Sequence, residues 1–187
     1  MILEFECIEP EGTVIREVRP AQLSFGTLKG YYDKLKEFDT VFNGYVANNI
    51  DAFIQSFVKG NGSDDLQATG IIWEVDDVGI LYLTNISIGN DALAHFNFWD
   101  RRYKGRENLI RGMMKHVMKE FNLHRITSEV GLFAAPWLPL ALERMGFVRE
   151  GRKREAIWHV PKGKREGQWF DSLIYSVLRH EVEENGS

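Results

Sequence analysis

Four cations and a glycine crowd one short stretch of this chain, Arg101-Arg102-Tyr103-Lys104-Gly105-Arg106. Directly after it, Leu109, Ile110, Met113, Met114, Val117, Met118 and Phe121 recur at one-, three- and four-residue steps. That recurrence marks one apolar face of an α-helix. Residues 92–99 before the loop read as a strand, and 124–130 after the helix read as another. A strand that turns through a basic, glycine-bearing loop into a helix start is a place to hold phosphate. The first helical turn leaves backbone N–H groups without intrahelical partners, and they present partial positive charge outward. Plain solvation of the same cations is the other reading. One charge at a helix start gains about 0.3–1 kcal/mol, while micromolar binding needs about 8 kcal/mol. A phosphate ligand here therefore needs several N–H groups, at least one arginine, and apolar contacts elsewhere.

The elements that must position this loop make an α/β chain. Residues 2–8 alternate weakly and read as a strand, and 13–18 extend or re-pair it. Leu28, Tyr31, Tyr32, Leu35 and Phe38 then share one helical face, with Thr27 as its cap. A second helix is expected over 49–58, with Ile50, Phe53, Ile54 and Phe57 inward and Gly60-Asn61-Gly62-Ser63 ending it. Its aromatics also admit another arrangement, in which 42–57 covers a groove as a lid. Residues 68–75 and 79–88 read as strands joined by the hairpin turn Asp76-Asp77-Val78-Gly79. Residues 92–99 add a third strand, and 124–130 is expected parallel to it across the helix. A helix over 134–145 should start near Pro136 or Pro139, because proline is tolerated in a first turn. Leu140, Leu142 and Met145 would face inward from it. Residues 147–160 and 168–179 form two long final strands, and 181–187 reads as a flexible acidic tail. The expected fold is one α/β domain over 1–187, a mixed, mostly antiparallel sheet flanked by about four helices.

Composition narrows the function. With 187 residues, 44% apolar and 27% charged, the chain is large enough for a full core. A net charge of −4 argues against a general nucleic-acid coat protein. Cys7 is the one cysteine, so no disulfide forms within the chain and no cysteine cluster holds zinc. His95, His116, His124, His159 and His180 show no metal-ligand spacing, and no metal is expected. No apolar run approaches the roughly 18–20 residues of a membrane span. The N-terminus lacks the positive start of a signal peptide, so the expected location is the cytoplasm.

From Gly79 to Leu178 the chain resembles the GNAT (Gcn5-related) N-acetyltransferases. The resemblance is carried by GILYLTNISI at 79–88, EFNLHRITSEV at 120–130, LALERMGFVREGRKREAIWHV at 140–160 and QWFDSLIYSVL at 168–178. The ribosomal-protein N-terminal acetyltransferase branch is closest in flavour. There a His-Arg-Ile strand, a helix closing on Leu-Glu-Arg-x-Gly-Phe and an Asp-x-x-x-Tyr-Ser strand occur in the same order. The resemblance implies the GNAT acyl-CoA N-acyltransferase fold, with 66–180 binding acetyl-CoA as donor substrate and 1–65 on the acceptor side. It implies donor contacts from Phe98, Trp99, Arg101, Arg102, Tyr103, Lys104, Gly105 and Arg106. The family's loop motif is Gln/Arg-x-x-Gly-x-Gly/Ala; Arg102 to Gly105 supply its first four positions, and Glu107 stands where a small residue is expected. Ala135 and Leu138 occupy the places of a frequent Asn and Ser, and Leu142 that of a frequent tyrosine.

Amine acetylation needs a neutral amine, a polarised thioester carbonyl and a route for protons. An α-amine with pKa about 7.8 is about one-seventh neutral at pH 7, and a lysine near 10.4 about 0.04% neutral. The difference is roughly 3.5 kcal/mol, so a site without a strong base is easier to reconcile with an α-amine. Candidate bases are Glu129, where the family's cleft opens, and Glu74, each directly or through water; a solvent-facing strand residue is the alternative for Glu129. Tyr175 would donate to the leaving thiolate, or is core. Backbone N–H groups over 97–99 would polarise the carbonyl, and Asn85 and Asn97 would orient substrate. Asp171 matches a structural aspartate. Arg149, Arg152, Lys153, Arg154, Lys162, Lys164 and Arg165 crowd the last hairpin, either solvated or as a contact for an acidic partner. The expected activity is acetylation of a primary amine, a protein N-terminus first. Alternatives are a small-molecule or nucleobase amine, or a silent binding module; a homodimer is an open option.

Overall fold

The computed structural model describes residues 4–6, 14–18, 24–38, 40–60, 66–100, 102–161 and 163–184. Cys7, Arg101, Lys162 and the end of the expected tail, 185–187, lie outside the described residues. In chain order the elements are β1 (Glu4–Glu6), β2 (Val14–Val18), α1 (Phe25–Lys36), a 3-10 turn (Val46–Asn48) and α2 (Ile50–Gln55). There follow β3 (Val58–Gly60), β4 (Leu66–Ala68), β5 (Gly70–Val75), β6 (Gly79–Thr84), β7 (Asp91–Phe98) and α3 (Arg106–Glu120). The chain ends with β8 (Arg125–Gly131), α4 (Leu138–Arg144), β9 (Val148–His159), β10 (Gln168–Leu178) and α5 (Arg179–Glu184). Eight strands form one sheet in the order β1-β2-β5-β6-β7-β8-β10-β9, and β3 pairs with β4. Within the large sheet only β7 and β8 run parallel, as the sequence led us to expect. A parallel pair needs a long crossover, and α3 supplies it.

Local chemistry sets the ends of these elements. Helix α1 is capped by Ser24, whose hydroxyl accepts the Thr27 N–H at 3.0 Å. Thr27, the expected cap, instead supplies the N–H being capped. Helix α2 is shorter than expected, because Val58 has already passed into β3. Asn49 caps α2 by accepting the Ala52 N–H at 3.2 Å. Strand residues alternate between two faces, and each face carries a core. Under α1 and α2, Leu28, Tyr31, Tyr32 and Leu35 pack with Phe42, Phe53, Phe57, Ile72, Ile80 and Tyr82. Phe42, Phe53 and Phe57 are therefore core and not a lid over a groove, while Tyr45 is exposed. On the other face α3 buries Leu109, Ile110, Met113, Met114, Val117 and Met118 against Trp73, Leu81, Leu83, Ala92 and Ile126. Each such side chain gains about 1.5–3 kcal/mol from burial.

Two corrections concern the C-terminal third. Helix α4 carries Pro139 in its first turn and buries Leu142 and Met145 as expected, but Leu140 is 51% exposed. The chain from Arg179 to Glu184 is helical, where a flexible tail was expected. The Arg179 guanidinium holds it in place, donating to the Leu123 carbonyl at 2.7 Å, Asn122 Oδ1 at 2.9 Å and the Met118 carbonyl at 3.0 Å. Those acceptors lie in and just after the last turn of α3, the end of a helix that favours a cation. Asp171 is structural, as the resemblance implied. It accepts the Glu155 N–H at 2.8 Å and pairs with Arg152, pinning the bulge where β9 slips against β10. No helix among the described residues is long and apolar enough to cross a membrane.

Candidate active site

The ladder between β7 and β8 is short. It runs Asp91↔Arg125, Ala92↔Ile126 and Leu93↔Thr127, then stops. Yet β7 continues to Phe98 and β8 to Gly131. Each stays paired with its outer neighbour, β7 with β6 through Phe98 and β8 with β10 through Gly131. The inner edges therefore part like a V, whose backbone groups face one another across a gap. The gap opens towards a cleft of about 940 Å³, lined by the end of β7, the loop into α3, and α4. That volume suits a small-molecule site.

The loop into α3 folds around Phe98. Tyr103 stacks on its ring at 5.8 Å, and the Arg106 guanidinium lies 5.5 Å from the ring centre. Asp100 organises the turn: its Oδ1 accepts the Arg102 N–H at 2.8 Å, and its carbonyl accepts from Arg106 Nη2 at 2.7 Å. The Arg102 N–H, and then the Arg102 side chain, hold the Asp100 carboxyl below its ordinary range. Helix α3 starts behind Gly105, which has no side chain with which to cap it. Arg106 Nε is buried without a hydrogen-bond partner. A donor in that position is destabilising by about 1–3 kcal/mol, and an anion's oxygen would relieve it. Phe98, Tyr103, Lys104, Gly105 and Arg106 all line the cleft. These features fit a diphosphate.

Two other expected donor contacts, Arg102 and Trp99, are placed elsewhere. The Arg102 side chain is 93% exposed and pairs with Asp100 at 3.3 Å, away from the cleft. Trp99 turns to the α1 side: it stacks on Tyr31 at 6.4 Å, lies 4.5 Å under Lys34 Nζ and donates Nε1–H to the Asp77 carbonyl at 2.5 Å. The Trp99 N–H is committed to the Val78 carbonyl at 3.0 Å, so it does not polarise an acyl group. Sequence reasoning missed most of one wall of the cleft. Trp137, Leu140, Ala141 and Arg144, on and just before α4, line it; Leu142 faces the core, and Met145 lies between core and cleft. Trp137 and Leu140 are 59% and 51% exposed, and exposed apolar groups lining a concavity point to a ligand. The signal was legible as a second apolar stripe at helical spacing opposite the buried one. Ala135 and Leu138 also line the cleft, while Leu142 is core.

On the sheet's α1 side, the mouth of the V brings together three residues. His95 and Asn97 alternate with core-facing Ala94 and Phe96, and Glu129 alternates with Val130. The His95 ring stacks on Tyr82 at 4.4 Å, with its Nε2 3.3 Å from Thr84 Oγ1. Burial pushes the His95 pKa down to about 4, against the opposing pull of the Glu129 carboxylate. Burial likewise raises the Tyr82 hydroxyl, which hydrogen-bonds the Asn97 side chain. Glu129 accepts from Lys153 Nζ at 2.7 Å and from Ser172 Oγ at 2.5 Å. Burial alone would raise the Glu129 pKa, but these two bonds outweigh it and hold it below the ordinary value. Glu129 is thus no mere solvent-facing strand residue.

Three candidates fall outside this group. Glu74 shares the face but sits two strands away, in the row Glu74↔Ile80↔Asn97, about 10 Å off by strand spacing. Tyr175 is 1% exposed in the α3-side core, its hydroxyl 3.4 Å from Glu143; burial, then Glu143, raises its pKa. It is core, not a thiolate donor. Asn85 follows β6 with φ of 52°, beside the Thr84↔Leu93 pair at the closed end of the V. Its side-chain amide suits the left-handed turn and not a substrate. Of the hairpin cations, Arg152 and Lys153 are engaged by Asp171 and Glu129. Among the described residues no group of three or more His, Cys, Asp or Glu is placed to hold a metal ion.

No family model matches the sequence, and no curated protein matches it. Solved structures do. A variant of spermidine N-acetyltransferase SpeG from Vibrio cholerae aligns over 95% of this chain and 100% of its own, with TM-score 0.68 and 16% identity. A GNAT-family acetyltransferase from Bacillus anthracis aligns over 96% and 99%, with TM-score 0.58 and 16% identity. The Vibrio cholerae spermidine N-acetyltransferase solved with CoA and spermine aligns over 90% and 98%, with TM-score 0.61 and 16% identity. The chain therefore has the α/β fold of the GNAT acetyltransferases.

Proposed function

We propose that this chain is an acetyl-CoA-dependent N-acetyltransferase acting on a primary amine, with a protein N-terminus as the favoured acceptor. One observation carries the proposal: the V between β7 and β8 joins an anion-suited helix start to a face bearing Glu129, His95 and Asn97. The first N–H groups of α3, with Lys104 and Arg106, hold the donor's diphosphate. The open strand edges take its pantetheine arm and thioester. The amine nitrogen attacks the thioester carbonyl from the α1 side, forming the C–N bond as the C–S bond breaks. The ammonium proton released from nitrogen passes through water to Glu129 or to solvent. Coenzyme A leaves as a thiolate and takes its proton from solvent. A thiolate is a far weaker base than an alkoxide, so that leaving group needs no strong acid, which agrees with the burial of Tyr175 and Leu142.

Acid–base balance favours an α-amine acceptor. Glu129 is held below the ordinary carboxylate range, and His95 titrates near 4. Neither is a strong base at neutral pH, so the reacting amine must come from the fraction already neutral in solution. An α-amine meets that condition about 3.5 kcal/mol more readily than a lysine side chain. The segment from α1 through α2 is the acceptor wall; the Gly44 N–H tethers it to the Trp158 carbonyl of β9 at 2.8 Å. A second reading, a polyamine acceptor, is favoured by the spermidine N-acetyltransferases that share the fold and by the ionised Glu129, which can pair with an ammonium.

Mass spectrometry of incubations with acetyl-CoA separates them. Peptides with free and with blocked N-termini are compared with spermine. The proposal predicts label on free N-termini only. Acetylated spermine would favour the second reading. Bound donor without any product would favour a binding module.

A further inference from the structure

Arg144 lines the cleft from the α4 side. Its Nη1 lies 3.8 Å from Oε1 of Glu107, across the cleft on the first turn of α3. Both residues line the cleft, and both side chains remain solvent-exposed. So exposed a pair adds little to folding stability, yet it spans the site. The backbone beneath it is anchored. The Arg144 carbonyl accepts from Arg111 Nη2, and neighbouring Met145 is buried. The guanidinium can therefore swing while its Cα stays in place. Glu107 is the one acidic residue in the first turn of α3. Negative charge is favoured at a helix start, so its carboxylate serves as the resting anion there.

We propose that Glu107 and Arg144 form an exchangeable latch across the cleft, in which a phosphoryl group of the donor replaces Glu107 on Arg144. The inference rests on the cleft being the coenzyme A site. Charge balance supports it. A diphosphate brings two negative charges to a rim that Glu107 has already made more negative. Lys104 and Arg106 offset two, and one amino group of Arg106 is held by the Asp100 carbonyl. Arg144 supplies the third cation, and its planar fork suits phosphoryl oxygens. Glu107, placed where small residues are usual in the resembling loop, is then a brake on donor affinity and not a lost site.

The test is calorimetry with coenzyme A and with pantetheine, which lacks the phosphates. Arg144→Met should weaken coenzyme A about ten-fold, and Arg144→Lys should recover part of the loss. Glu107→Gln should tighten coenzyme A about three-fold by removing the competing anion. Neither change should move pantetheine affinity, and melting temperatures check that both variants fold. Unchanged coenzyme A affinity in Arg144→Met, or weaker binding by Glu107→Gln, would overturn the latch alone. No coenzyme A binding by the unaltered protein would overturn the donor site and the latch with it.

Discussion

The imidazole of His95 lies flat on the phenol of Tyr82, at a centroid distance of 4.4 Å and an interplanar angle of 14°. The stack sits at the mouth of the V between β7 and β8, beside Glu129. Enclosure there keeps His95 neutral, which shapes both the stability of the fold and the chemistry at its surface.

Stability should fall on acidification because of His95. Its folded pKa, about 4, lies below the unfolded value near 6.5. Between those values the unfolded chain binds the extra proton, so this contribution is full above pH 6.5 and is lost as pH falls towards 4. The separation corresponds to about 3 kcal/mol. Denaturant midpoints measured from pH 7 to 4 should drop steeply in the unaltered protein and less steeply in His95→Gln.

Glu129 should act on turnover and not on donor binding. Glu129→Gln is expected to lower kcat/KM about 100-fold, with coenzyme A affinity unchanged. Lys153→Met removes a bond that holds the carboxyl down, so Glu129 becomes more basic and any acidic limb of the rate profile moves to higher pH. For an α-amine acceptor the main rise should follow the amine, near pH 7.8. A rise in KM alone for Glu129→Gln would make the carboxylate a docking group.

Much of this was written in the chain. The methionine face of α3, the Asp76–Gly79 hairpin turn and the parallel return of β8 follow from periodicity and turn chemistry. Lys104, Gly105 and Arg106 were legible because a glycine and cations precede a helix start. Trp99, Arg102 and Asn85 were misjudged because sequence adjacency does not say which way a side chain leaves the backbone. Trp99 turned to Tyr31, Arg102 to Asp100, and Asn85 into a left-handed turn. His95 left no signal, since a lone histidine in a strand becomes informative only when Tyr82 and Glu129 are seen beside it.

The cations of the loop should differ. Lys104→Ala should weaken coenzyme A roughly ten-fold, the loss of one charge-assisted contact. Arg102→Ala should change it less than about two-fold, because an exposed pair contributes little. Equal effects, read by equilibrium binding, would mean that the loop reorganises around the ligand.

Arg179 should matter to folding. Its three hydrogen bonds join α5 to the end of α3. Arg179→Met keeps the stem but removes all three bonds, leaving the Leu123 carbonyl without its guanidinium donor, and should destabilise the protein by about 1.5–3 kcal/mol in urea unfolding. A shift below about 0.5 kcal/mol, the range of ordinary surface changes, would mean that α5 is held by its apolar contacts.

The most direct measurement is a calorimetric titration of the folded, unaltered protein with coenzyme A. The account predicts one site per chain with micromolar affinity, weakened by Lys104→Ala. No heat at several hundred micromolar ligand, or binding indifferent to Lys104, would contradict it.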